Sequence, residues 1–123
     1  MSQNDNNWRL RLSRRPGESF LIDQGNHGRI WMLIRSSVDK VCHVTLFFPD
    51  GRVQEYHLNK SGNRNIEVSE QVSVYAETFR GTQVTFAFRS DKDIRIVRSE
   101  LLSKEEIEQF APLDVPAPLL DQP

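Results

Sequence analysis

Lys40–Leu58, KVCHVTLFFPDGRVQEYHL, is the stretch that decides the fold. Its first nine residues are rich in β-branched and aromatic side chains, which suit a pleated, half-buried strand. Pro49-Asp50-Gly51 then gives a strong turn signal: proline presets its φ, aspartate bonds back to the chain and glycine tolerates positive φ. Arg52–Leu58 (RVQEYHL) resumes as a return strand, so the stretch reads as an antiparallel hairpin.

The same grammar extends outward. Upstream, Arg29–Arg35 (RIWMLIR) is strand-like and follows a Gly- and Asn-containing loop, Asp23–Gly28. Near the start, Trp8, Leu10 and Leu12 alternate with Arg9, Arg11 and Ser13, a period of two. Pro16-Gly17 turns the chain into Ser19–Ile22, read as the second strand of a tight hairpin. Downstream, Asn59–Asn65 (NKSGNRN) reads as loop and Gln71–Phe79 (QVSVYAETF) as strand. Another turn follows at Arg80-Gly81-Thr82. Gln83–Phe88 places Val84, Phe86 and Phe88 on one face, and Ser90–Asp93 leads into a last strand, Ile94–Arg98.

Ser103-Lys104-Glu105-Glu106 has the form of a capping box, and Ile107 and Phe110 share a helical face behind it. The expected fold is therefore mainly β: a small antiparallel sheet or barrel-like domain with one short C-terminal helix. Residues 1–7 are polar and 111–123 carry four prolines, so both ends read as tails. Val44–Leu58 and Val84–Val97 share a strand-turn-strand pattern opening on Val-Thr-apolar. Two hairpins of similar size resemble each other by chance, and the balance falls against a duplication.

The 123 residues suffice for one domain with a modest core, at 37% hydrophobic residues. One cysteine, Cys42, excludes an intramolecular disulfide and fits a reducing compartment. No apolar run approaches the ~20 residues of a membrane span, and the start lacks the pattern of a signal peptide. These readings point to a cytoplasmic chain. The net charge of −1 is unevenly spread: residues 99–123 hold six acids and one base, residues 1–98 eleven acids and fifteen bases. The body is thus mildly basic and the tail acidic, with a solvated surface as the plain alternative.

Cys42, His43, His57 and His27 match no zinc spacing, and neighbouring strand residues diverge, so no metal or cofactor is expected. No nucleophile elbow, P-loop or dinucleotide fingerprint occurs, and the carboxylates form no dyad; an enzyme is not expected. Trp31, Phe47, Phe48 and Tyr56 could stack on bases, although core packing is the commoner fate of strand aromatics.

Two segments carry a resemblance. Leu12-Ser13-Arg14-Arg15-Pro16-Gly17-Glu18-Ser19-Phe20-Leu21-Ile22 resembles the opening strands of the bacterial carbon storage regulator family (CsrA/RsmA). Arg80-Gly81-Thr82-Gln83-Val84 and Ile94-Arg95-Ile96-Val97-Arg98-Ser99-Glu100-Leu101 are similar to its later strands and their lead into a helix. The likeness covers about residues 8–23 and 70–110. Residues 24–68 read as an inserted β-subdomain. Ser90–Asp93 replaces the family's Ala-Pro loop, and Thr85 stands where a basic residue is common.

The resemblance implies a strand-swapped homodimer in which the first and last strands of opposite subunits form an RNA site, two per dimer. It implies Leu12, Arg14, Arg15, Ile94, Ile96 and Arg98 as RNA-binding residues, with Arg98 foremost and the apolar three as platform. The implied targets carry GGA in loops of mRNA leaders or small regulatory RNAs, and occupancy represses translation or alters mRNA stability. From pattern alone, Arg14 and Arg15 also fit a solvated hairpin end, Gly17 and Glu18 a structural turn, and Arg98 a surface ion pair with Glu100 or Glu105. A protein-interaction module is the rival class: a chain that pairs with or titrates such a regulator through its inserted strands. A monomer whose inserted strands replace those of a partner is a further alternative.

Overall fold

The computed structural model describes residues 8–91 and 94–98, with Trp8 and Arg9 as backbone. Period-two alternation yields nine strands there: β1 (Trp8–Arg14), β2 (Ser19–Asp23), β3 (Arg29–Val38), β4 (Val41–Phe47), β5 (Val53–Asn59), β6 (Asn65–Ser69), β7 (Val72–Arg80), β8 (Gln83–Ser90) and β9 (Arg95–Arg98). They form two antiparallel sheets, one in the order β1-β8-β7-β6, the other β5-β4-β3-β2-β9. The expected C-terminal helix and Pro-rich tail lie outside the described residues. Among the described residues no helix is long and apolar enough to cross a membrane.

The hairpin at residues 40–58 forms as read, from Val41 opposite Asn59 to Phe47 opposite Val53. Its turn is held by Phe48 N–H donating to Arg52 O at 2.9 Å and Gly51 N–H to Phe48 O at 3.0 Å. Asp50 accepts from the Arg52 backbone N–H at 3.0 Å, and this bond holds its carboxyl below the usual aspartate range.

Two expected hairpins do not form. Leu10–Ile22 was expected to fold on itself, but β1 pairs with β8 and β2 lies in the other sheet, between β3 and β9. The residues before and after Pro16-Gly17 thus cross from one sheet to the other. Residues 83–98 likewise do not close a hairpin: β9 pairs with β2, Phe20 opposite Arg98 and Ile22 opposite Ile96. In both cases apolar burial between sheets outweighs local turn chemistry. The loop expected over Asn59–Asn65 ends one residue early, where β6 begins. β6 is a five-residue strand whose Ile66 and Val68 point into the core. Residues 24–68 are divided between the sheets, β3, β4 and β5 in one and β6 in the other.

The sheets pack face to face. Phe20, Ile22, Met32, Ile34, Val44 and Leu46 from one meet Ile66, Val74, Val84, Phe86 and Phe88 from the other. Phe20 is the hinge of this packing, edge-on to Phe86 at 5.9 Å and to Phe88 at 5.1 Å between ring centroids. Leu21, Trp31, Leu33 and Phe47, on the opposite face of the five-stranded sheet, are buried too. That accounts for the unbroken apolar run in β3, which a one-sided strand would not show. Gly28 is required where β3 begins: its φ is +92°, and a Cβ there would lie 2.6 Å from Pro49 Cγ.

Candidate nucleic-acid interface

β1 and β9 are edge strands of different sheets, and both adjoin β2: β1 through the turn at residues 15–18, β9 by direct pairing. They therefore flank the same open side of the sandwich. Cross-strand partners share a face. Leu10, Leu12 and Arg14 of β1 lie opposite Phe88, Phe86 and Val84, all buried, so this row faces inward. Ile96 and Arg98 of β9 lie opposite Ile22 and Phe20, so that row faces inward as well. Leu10, Leu12, Ile94 and Ile96 are half-buried against the core. Each row ends in an arginine, and both arginines adjoin Phe20.

The two arginines behave differently. Arg14 is only 4% exposed. Its guanidinium lies 5.7 Å from the Phe20 ring, donates to Ser19 O at 3.2 Å and to Ser13 O at 3.1 Å, and stands 3.4 Å from Glu18 Oε1. The same Glu18 oxygen accepts from Arg15 N–H at 2.7 Å. Arg14 and Glu18 thus clamp the crossing from β1 to β2, with Gly17 at φ +90° supplying its tightest point. Arg98 is half-buried and makes no ion pair among the described residues; Glu100 and Glu105, its alternative partners, lie outside them. Arg15 is exposed. Of the six residues named from the sequence, Leu12 on β1, Arg15 just after it, and Ile94, Ile96 and Arg98 on or beside β9 are at least partly accessible, whereas Arg14 is buried.

Two arginines on the outward faces near this edge are ion-paired. Arg11 Nε lies 2.9 Å from Glu77 Oε1, and Arg29 Nε 3.7 Å from Asp23 Oδ2 beside exposed Arg95. Thr85 shares a hydrogen bond with Ser13, Oγ1 to Oγ at 2.8 Å. The loop before β9 closes with Ile94 N–H donating to Asp91 O at 3.2 Å. The structural turn read at Gly17 and Glu18, with its local hydrogen bond, is present, but the burial of Arg14 behind it was not foreseen; the arginine and glutamate four residues apart across Pro16-Gly17 were its available signal.

Other candidate chemistry disperses. His43 and His57 stack at 4.4 Å and His43 Nε2 lies 2.8 Å from Glu55, while Cys42 points the opposite way, into the core. Burial pushes the Cys42 thiol up to about 12, which leaves it protonated and unreactive at neutral pH. Trp31, Phe47 and Phe48 are buried, and only Tyr56 of that group is partly open. A depression of about 700 Å³ lies at the far end of β2, lined by Gln24, His27, Asp50, Arg52, Ser69 and Glu70 among others. Its mixed charges define no ligand class. The chain matches no known protein family, no curated protein and no solved structure.

Proposed function

We propose that the chain is a non-enzymatic RNA-binding regulator that takes single-stranded loop RNA along the β1–β9 edge. The observation that carries this reading is the pair of half-buried apolar rows on β1 and β9, with the half-buried Arg98 at the end of one and the exposed Arg15 following the other. RNA sequence is read where bases are unstacked, and an edge strand offers such bases unpaired backbone donors and acceptors. Leu12, Ile94 and Ile96 form the apolar ledge. Arg98 suits the two acceptors of a guanine edge, and Arg15 suits phosphate. Arg14 is a positioning residue that fixes the turn carrying Arg15. The sequence resemblance narrows the target to GGA in a loop of an mRNA leader or a small RNA, where occupancy excludes the ribosome or alters stability of the transcript.

A second reading is favoured by the overall net charge of −1 and by Ser90–Asp93 in place of the family's Ala-Pro: a protein-interaction module that pairs with or titrates a regulator of this type. A mobility shift at fixed moderate salt separates the two. A hairpin with GGA in its loop is compared with a CCA loop, for wild type and Arg98→Ala. Binding that is lost with the CCA loop and with Arg98→Ala supports the RNA reading. Binding indifferent to the loop, or none, moves the assignment to the interaction module.

A further inference from the structure

The strand registers contain a repetition that the residues conceal. β3 and β4 are joined by a two-residue turn, Asp39-Lys40, and β7 and β8 by another, Gly81-Thr82. Each hairpin keeps three regular pairs beyond its turn and then bulges by one residue, Arg35 in the first and Glu77 in the second. Superposing the turns sets Cys42 on Val84 and Val44 on Phe86. β5 pairs with β4 as β1 pairs with β8: Tyr56 opposite Val44 and Leu58 opposite Cys42, against Leu12 opposite Phe86 and Arg14 opposite Val84. β6 pairs with β7 as β2 pairs with β3: Ile66 opposite Val74 and Glu67 opposite Ser73, against Phe20 opposite Met32 and Leu21 opposite Trp31. The crossings share a bond as well, Ile34 N–H donating to Glu18 O at 3.0 Å and Ala76 N–H to Arg64 O at 2.8 Å, although the second crossing is two residues longer.

Residues 8–48 and 53–90 are therefore the same four-strand unit twice. Each unit lends its first strand to the other's sheet, β1 beside β8 and β5 beside β4. Such an exchange between separate chains would make a dimer obligatory. Here both partners of the exchange lie in one chain.

The repetition breaks at the β1–β9 edge. β9 lies beside β2, but among the described residues no strand lies beside β6. The position of Arg14 is taken in the second unit by Leu58, which is 0% exposed, and that of Leu12 by Tyr56. β6 also bulges between Glu67 and Ser69, a device that discourages pairing along an edge. We infer that the chain is a self-contained monomer with one RNA-binding edge, so that it occupies a single RNA loop and does not bridge two. The inference replaces the homodimer expected from the sequence, and its RNA half rests on the function proposed above.

Two measurements on the full chain test it. Sedimentation equilibrium without RNA is expected to give the single-chain mass of 14.3 kDa. Twice that mass overturns the inference whatever the RNA result. Calorimetric titration then uses one-loop and two-loop GGA RNAs. One RNA per chain for the first, and two chains per RNA at unchanged affinity for the second, support it. A bridging protein would instead bind the two-loop RNA roughly 100-fold tighter or more through effective concentration, and that result overturns it. A monomer that binds neither RNA supports the self-contained body and overturns the proposed function.

Discussion

Among the described residues, the two sides of this sandwich are built on the same strand registers. On one, β1 and β9 present half-buried apolar rows that end in Arg14 and Arg98. On the other, β5 presents Tyr56 and Leu58, with Leu58 sealed in the core, and β6 lies at the edge of the facing sheet. The backbone framework is common to both, so it does not by itself set an arginine at the edge. An arginine-tipped edge needs the ninth strand and a turn able to hold a buried guanidinium. Ser19 O and Glu18 supply that turn on the first side.

Exchanging residues between the sides breaks the comparison most severely. Leu58→Arg places a guanidinium in a fully buried position that lacks the Glu18 and Ser19 partners. It is expected to cost about 3–5 kcal/mol in urea unfolding. A loss under ~1 kcal/mol would mean that the second side can also host an arginine. Gly28→Ala forces an L-residue to positive φ against Pro49, which β2–β3 and β4–β5 both need in place. Its expected cost is about 2–3 kcal/mol in the same measurement, and free tolerance would show the turn to be looser than described.

Arg98→Ala sharpens the contrast in function. Binding to a GGA loop is expected to weaken roughly 10- to 100-fold, in line with loss of one bidentate base contact. Stability should stay within ~0.5 kcal/mol, because the side chain makes no ion pair among the described residues. The reverse exchange, Arg14→Leu, should lower stability by only ~1–2 kcal/mol, since an apolar side chain fits the same buried spot and leaves a largely solvated Glu18 behind. A much larger loss would make the clamp indispensable to the fold.

The smallest expected effect is electrostatic. Glu67 accepts from Ser73 Oγ at 2.7 Å and Asn65 Nδ2 at 2.8 Å, bonds that hold its carboxyl below the ordinary value of 4.5. Because the folded value is the lower one, the stability it contributes is present at neutral pH. It fades as pH falls below 4.5 through the folded value. Acid unfolding of Glu67→Gln should be slightly less pH-dependent than that of wild type in this window, and an identical profile would show these bonds to be inconsequential.

Much of the architecture was legible because alternation reports burial directly. The hairpin at 40–58 and the strand character of β1, β3, β7 and β8 follow from period-two patterns and turn residues. Pairing was less legible. Pro16-Gly17 looks like a hairpin turn, but nothing local reveals that Leu12 belongs opposite Phe86, 74 positions away. β6 was missed because Asn65–Ser69 is short and follows the glycine- and asparagine-rich NKSGNRN. The duplication was obscured for a subtler reason. Val44-Thr45-Leu46 and Val84-Thr85-Phe86 look alike, yet turn and bulge superpose Val44 on Phe86, two residues further on. Geometry outlasted residue identity, because a bulge and a turn fix register while many apolar side chains fill the same space.

The most direct test of the unequal edges is an amide chemical-shift titration of isotopically labelled chain with a one-loop GGA RNA. Perturbations confined to Leu10–Arg15 and Ile94–Arg98 are the expected result. Perturbations centred on Val53–Leu58 and Asn65–Ser69, or equal on both sides, would contradict it.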